Sequence, residues 1–309
     1  MNNKVLIIIV FIASNIVLTD AQVYRQIRGW NQETNDKIES FLNSTITMTT
    51  RKVAVFDCDG TVFGQVPHYL ADEALYSYAD EVYKGRNDKL AREKLAILDK
   101  MVKDGNNVGK PYVESRVHFL SGMTPEEIEL MGYNCYYKSY RGKMYPEMKE
   151  FIANLKEYCF EVWIISASPE LLYQKFISEE LGIPVTQVLG AKCVVANGRT
   201  TGEIIPPIPQ DDGKAVTIET FIKAKPLIVG GNSRGDMDMI NESYGLKIIV
   251  NPDDKKVRGP EDGPMNGHTV KSYWEKEGAL VLRCNDTTDP NVKFHSKDWK
   301  IVENDANPK

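Results

Sequence analysis

The sequence predicts an α/β protein: a parallel sheet with helices on both faces and a helical insertion after its first strand. Three observations carry this. Four short apolar runs, "KVAVF" (52–56), "EVWIIS" (161–166), "PLIVGG" (226–231) and "LKIIV" (246–250), have the length and continuity of strands buried on both faces. Helical patterns separate the later runs, which implies parallel neighbours joined by right-handed crossovers. Between about residues 64 and 145 no strand pattern occurs, so that stretch reads as an insertion made of helices.

The elements follow in order. Residues 22–50 are polar around one buried-type residue, Trp30, and form a helix leading into the core. "KVAVF" is the first and central strand. In the insertion, Leu95, Leu98, Met101 and Val102 recur at helical spacing. "TPEEIELMG" opens another helix, with Thr124 as N-cap, Pro125 in the first turn and Glu127 closing a capping box. "YPEMKEFIANLKEYC" (145–159) lines up Phe151, Ile152, Leu155 and Tyr158 on one helical face, and "EVWIIS" is the strand after it. "SPELLYQKFISEELGIP" (168–184) is a helix capped by Ser168, opened by Pro169 and closed by Gly182 and Pro184. "AKCVVANGRTTGEI" reads as a hairpin turning at Asn197-Gly198. "GKAVTIETFI" is a helix, and the last two apolar runs are strands. Beyond about residue 260 the chain is polar and uneven, and no role is assigned to it.

A chain of 309 residues holds one large α/β domain with an insertion, or two modest domains. Its net charge of -5 leaves no basic footprint, which argues against nucleic acid as a partner. The beginning reads as a secretory signal: Lys4, an apolar stretch from Val5 to Leu18, then small residues around a cut after Ala21. That stretch falls short of the roughly 18–20 residues of a spanning helix, so removal is expected rather than stable membrane insertion. The mature chain is then periplasmic or secreted. Five cysteines without a CxxC suggest neither a zinc site nor a disulfide framework. Asn43, Asn241 and Asn285 head glycosylation sequons, which matter only in a eukaryotic source.

In a parallel sheet, ligands bind beyond the carboxyl ends of the strands, and four polar clusters fall there. The first is Asp57, Asp59 and Thr61. Side chains two apart share a face of an extended chain, and Gly60 lets the backbone turn at once. Two carboxylates held so close repel, a cost that a divalent cation between them relieves. The second is Ser166, whose hydroxyl, with the backbone of Ala167 at the next helix start, can hold an anion. The third is Lys214, a compact point charge suited to phosphate. The fourth is "GGNSRGDMDM" (230–239), where Asn232 and Asp236 lie one helical turn apart and can aim oxygens at a metal or at the lysine.

In this order, "FDCDGTVFG", "IISAS", "GKAV" and "GGNSRGDMDM" resemble the four motifs of the haloacid dehalogenase-like superfamily, in its phosphatase branch. The resemblance implies a Rossmann-like three-layer α/β/α core over 22–63 and 146–260. It also implies an all-helical cap of the C1 type over 64–145, leaving 261–309 as a C-terminal extension. It implies Mg²⁺ held by Asp57, Asp59, Asn232 and Asp236, and an aspartyl-phosphate intermediate. Asp57 is then the nucleophile, Asp59 the acid and base, and Lys214 the group that neutralises charge. Thr61, Ser166 and Ala167 meet the phosphoryl group and His68 the leaving group. Asn232 stands where the family usually has Asp, which removes one negative charge and predicts weaker metal binding. Trp30, "HFLSGMTPEEI" (118–128) and residues 145–170 further resemble exported phosphocholine phosphatases. Tyr69, Tyr76, Tyr78, Tyr133, Tyr136 and Tyr137 in the cap either pack its helices, the commoner fate of such residues, or form an aromatic cage for a quaternary ammonium. The expected activity is hydrolysis of phosphocholine, phosphoethanolamine or phosphoserine. A phosphotransferase with the same intermediate and a non-catalytic phosphate-ester-binding protein are the alternatives.

Overall fold

Every residue of the first strand, β1 (Lys52–Asp57), is buried, as its apolar composition requires of a strand with neighbours on both sides. Its side chains alternate between two cores. Val53 and Val55 join Ile165, Val229, Ile249 and Trp274 on one face of the sheet. Ala54 and Phe56 join Ile38, Phe151 and Ile152 on the other. The computed structural model describes residues 22–105 and 109–304, so the expected signal sequence lies outside the described residues.

The chain begins with α1 (Gln32–Ser44), capped by the Asn31 side chain, and enters β1. Helices α2 (Leu70–Val82), α3 (Lys89–Asp104), α4 (Lys110–Leu120) and α5 (Pro125–Cys135) follow. Thr124 and Glu127 form the capping box read from the sequence. A π-helical turn, Tyr136–Tyr140, leads to α6 (Pro146–Glu157), β2 (Phe160–Pro169) and α7 (Glu170–Leu181). The hairpin strands β3 (Val188–Ala196) and β4 (Arg199–Ile205) turn at Asn197 and Gly198, both with positive φ. Then come α8 (Asp212–Thr217), β5 (Ile228–Gly231), α9 (Met237–Asn241), β6 (Leu246–Val250), α10 (Val270–Lys276), β7 (Leu280–Leu282) and α11 (His295–Asp298).

The seven strands run in the order β4-β3-β2-β1-β5-β6-β7. All neighbours are parallel except the β3–β4 hairpin. This is the three-layer Rossmann-like arrangement, with α1, α6 and α7 on one face and α8, α9 and α10 on the other. The order reverses at β1, so the crevice beyond its carboxyl end is where a ligand binds.

Two details differ from the sequence reading. Residues 261–304, to which the sequence assigned no role, take part in the core. "LVL" at 280–282 completes the sheet edge beside β6, and Trp274 of α10 is fully buried beneath it. Three strand residues amid polar neighbours are too few for a periodic signal. Second, Ser168 does not cap α7. The helix starts one residue later than "SP" suggests, because β2 continues through Pro169, and this frees the Ser168 hydroxyl for another contact.

Candidate active site

The site starts from the turn after β1. The carbonyl of Cys58 accepts from the N–H groups of Thr61, Val62 and Phe63, which folds the chain back within five residues. Gly60 makes this possible with φ at +86°, and a β-carbon there would overlap the Asn232 carboxamide. The turn sets Asp57 and Asp59 at one cavity and brings the loop after β5 close above them.

Asp57 is buried and held at both oxygens. Lys214 Nζ lies 2.5 Å from Oδ1, and Thr61 Oγ1 donates to Oδ2 at 3.1 Å. The same ammonium lies 2.6 Å from Asp236 Oδ1. Oδ2 of Asp236 accepts from the backbone N–H of Asn232 and Ser233, at 3.0 and 2.9 Å, and from the Ser233 hydroxyl. Lys214 is therefore a cation between two carboxylates. Burial opposes its charge, but Asp236 and Asp57 together raise its pKa well above the ordinary lysine value. Burial likewise opposes ionisation of Asp236, yet Lys214 and the two N–H donors keep its carboxyl below the usual range. Burial, followed by the charge of Asp236, pushes Asp57 upward while Lys214 pulls it back.

Asp59 has a different environment. Tyr173 of α7 donates to Oδ1 at 2.9 Å, and the hydroxyls of Ser166 and Ser168 lie 3.4 and 3.5 Å from Oδ2. Burial dominates and lifts its pKa to about 6, with the Tyr173 hydrogen bond in opposition. Such a value suits a group that must both give and take a proton near neutrality.

The cavity over these groups has a volume of about 260 Å³. Of the residues singled out in the sequence, Asp57, Asp59, Ser166, Ala167, Lys214 and Asn232 line it. Thr61 and Asp236 do not reach it: they hold Asp57, Lys214 and the 232–233 backbone in place. His68 is a correction. Its ring is buried beside Val302 and Glu303 rather than in the cavity, and burial lowers its pKa. The reason lies in the backbone. Contacts from the C-terminal segment fix residues 65–67, so that Gln65 and Tyr69 face the cavity and His68 turns away.

Of the two readings of the cap tyrosines, packing and an aromatic cage, the structure follows packing. Among the six tyrosines only Tyr69 lines the cavity, and the Arg116 guanidinium already lies 5.5 Å from its ring centre. Tyr76 is packed against Trp299, Tyr136 is stacked on Phe176, and Tyr137 is exposed. The sequence reading missed Gln65, Arg116, Ser168, Tyr173, Gln210, Arg234 and Arg258. Tyr173 had one local signal, as the polar member of the buried stripe Leu172, Tyr173, Phe176. Arg116 had none, because its bidentate partner Asp72 is 44 residues away.

Whether the residues suit a divalent cation follows from the oxygens left over. Oδ2 of Asp236 accepts three hydrogen bonds and Oδ1 one, so it has less capacity left for a cation than Asp57, which accepts one at each oxygen. Among the described residues no three His, Cys, Asp or Glu side chains converge as a metal centre. Asp57, Asp59 and Asn232 line the cavity, with the Asn232 carboxamide packed against the β-carbon-free surface of Gly60. Oxygen donors of this kind fit a hard cation such as Mg²⁺, which would keep several of its waters there.

Residues 54–241 match the haloacid dehalogenase-like hydrolase family, and the chain belongs to that family of hydrolases. No curated protein matches it. Among solved structures, a protein of unknown function from Bordetella pertussis Tohama I is 17% identical, with a TM-score of 0.57, over 76% of this chain and 99% of that one. A functionally unknown protein from Anaerococcus prevotii DSM 20548 is 15% identical, with a TM-score of 0.58, over 85% and 98%. A phosphoserine phosphatase, described as a phospho-aspartyl intermediate analogue, is 19% identical with a TM-score of 0.45, over 78% and 96%. At these identities the likeness is one of fold.

Proposed function

We propose that the protein is a Mg²⁺-dependent phosphatase that hydrolyses a small phosphate monoester through an aspartyl-phosphate on Asp57. The observation that carries this reading is a division of labour within one cavity. Asp57 is paired with the Lys214 ammonium, while Asp59 has no cation at hydrogen-bond distance and meets the hydroxyls of Tyr173, Ser166 and Ser168. The carboxylate beside the cation suits the nucleophile, and the one among neutral donors suits the acid.

The steps balance as follows. An oxygen of Asp57 attacks phosphorus, and the bond from phosphorus to the ester oxygen breaks. Asp59 gives its proton to that departing oxygen. Water then attacks the acyl phosphate at phosphorus, Asp59 takes the water's proton, and phosphate leaves with Asp57 restored as carboxylate. Ser166 and the Ala167 backbone hold phosphoryl oxygens, and Lys214 offsets their charge. Bound at Asp57, Asp59 and Asn232, Mg²⁺ would stabilise negative charge on the phosphoryl group.

The outer cavity bears on the leaving group. Arg116, Arg234 and Arg258 line it together with Asp211, so both signs of charge meet there. A quaternary ammonium would find cations and a single ring already faced by Arg116. A zwitterionic leaving group, with a carboxylate and an ammonium, matches the mixture, and this favours phosphoserine-type esters over phosphocholine. The pattern of Lys4, the apolar stretch 5–18 and the small residues up to Ala21 supports export of the mature chain.

The test is phosphate release from phosphoserine, phosphoethanolamine and phosphocholine, with and without added Mg²⁺, for wild type and Asp57→Asn. The reading expects Mg²⁺-dependent release, fastest with phosphoserine, and a loss of at least a thousandfold in the variant. Equal rates for both proteins across the panel would overturn it. Adding an alcohol acceptor and measuring its phosphorylation separates hydrolysis from transfer.

A further inference from the structure

The chain leaves the sheet at Asp57 and rejoins it through α6 at Pro146. Helices α2 to α5 are joined to the sheet by two chain connections, residues 58–69 and 136–145, and pack on it through α4 against β4 and α5 against α7. These run side by side: Gly64 N–H donates to the Lys143 carbonyl at 2.8 Å, and Tyr145 N–H to the Val62 carbonyl at 3.1 Å. Asp286, from the segment after β7, is bound to both. Its Oδ2 accepts from Gln65 N–H at 2.9 Å and Val66 N–H at 3.3 Å, and its Oδ1 is paired with the Lys143 ammonium. Lys143 also donates to the Thr287 carbonyl at 3.0 Å. Both side chains of the pair are withdrawn from solvent, and a β-carbon at Gly64 would overlap the two of them.

The same segment continues onto the inserted helices. Glu73 of α2 accepts from the backbone N–H groups of His295 and Ser296, at 2.8 and 2.9 Å. Asp80 accepts from His295 Nδ1 at 2.9 Å and Trp299 Nε1 at 3.0 Å. Asn304 returns to the first connection, donating through Nδ2 to the Gln65 carbonyl at 2.7 Å. One strap, starting from the edge strand of the sheet, thus crosses both connections and ends on the helices they carry.

We propose that Asp286 is a positioning residue for the cavity. By holding both connections it fixes Gln65, Tyr69 and Arg116, on the side of the inserted helices, at a set distance from Asp57, Ser166 and Lys214 on the sheet. This rests on the phosphatase reading for its kinetic consequence, but the geometry it asserts does not. The strap acts on the side of the cavity that meets the leaving group.

The test uses the full mature chain carrying Asp286→Ala with Lys143→Met, which avoids leaving a buried ammonium unpaired. Three quantities are measured: KM and kcat for phosphoserine, inhibition by inorganic phosphate, and amide exchange at residues 64–69. The proposal expects KM to rise at least tenfold with kcat within threefold. Phosphate inhibition should stay within twofold, and exchange at Gln65 and Val66 should be at least tenfold faster. Asn304→Ala disturbs the same loop by one hydrogen bond, and two- to fivefold of the KM effect is expected from it if the double variant does not fold. An unchanged KM with unchanged exchange would overturn the proposal. So would a joint fall in kcat and phosphate affinity, which marks general damage. Should wild type hydrolyse no ester, the phosphatase reading fails, and exchange alone then decides whether Asp286 holds the loop.

Discussion

At the scale of single residues, two aspartates one residue apart have different partners: Lys214 and Thr61 on Asp57, Tyr173 and two serine hydroxyls on Asp59. Burial raises both carboxyls, Asp57 to about 7 and Asp59 to about 6, and Lys214 pulls Asp57 back only in part. The sign of the pH dependence follows. Asp59 donates a proton in the first step, so it must be protonated, and that form is lost as pH rises through about 6. Asp57 must be ionised to attack, and its carboxyl is raised to about 7, so for phosphoserine, whose leaving alkoxide needs the proton, kcat/KM should be level between about 6 and 7 and fall about tenfold per pH unit above about 7. For p-nitrophenyl phosphate, whose leaving group departs without one, the same limb should be much flatter. Parallel profiles for the two substrates would remove Asp59 from the role of acid. These two aspartates were legible in the sequence because an apolar strand before them and a glycine after them leave one geometry. The work of Asp236 was only half legible. Its spacing from Asn232 offered a metal or Lys214 as its partner, and Lys214 is found there, but nothing in the spacing showed that the backbone N–H groups of Asn232 and Ser233 hold its other oxygen. His68 misled because adjacency to a motif says nothing of which way a loop residue turns.

At the scale of elements, the inserted helices are joined to one another by a buried ion pair. Arg116 of α4 and Asp72 of α2 form two 2.8 Å hydrogen bonds, with both side chains almost wholly enclosed. Rings of Tyr112 and Tyr69 lie 4.8 and 5.5 Å from the guanidinium. Removing one partner leaves an uncompensated charge, so Arg116→Met should lower unfolding free energy by about 3–5 kcal/mol in denaturant titrations. Replacing both, as Arg116→Met with Asp72→Leu, should recover much of that loss. A single variant as stable as wild type would mean that the pair contributes little to holding α2 on α4. The helices themselves were readable from local rules: the capping box at Thr124 and the apolar spacing of α3 appear where the sequence puts them. Their mutual packing was not, because it depends on a charged pair separated by 44 residues. The tyrosines show the same limit. Their number suggested a cage, but aromatic side chains on amphipathic helices go first to the core between those helices, as Tyr76 and Tyr136 do.

For the molecule as a whole, the parallel sheet was legible because each central strand is a continuous apolar run whose burial on two faces demands a helix on either side. Its edge was not, because β7 has three residues and takes its place by pairing with β6 rather than by any pattern of its own. The consequence reaches the site. The segment that completes the sheet also ties down the loop bearing Gln65, so core, inserted helices and tail define one cavity together. The central claim is that phosphorus passes through Asp57, and the most direct measurement is to trap it. Borohydride added during turnover of phosphoserine reduces an acyl phosphate to the alcohol. Peptide mass spectrometry of the quenched enzyme should then find homoserine at position 57 and unmodified aspartate at 59 and 236. Reduction at another aspartate, or none in an enzyme that is turning over, would contradict the account.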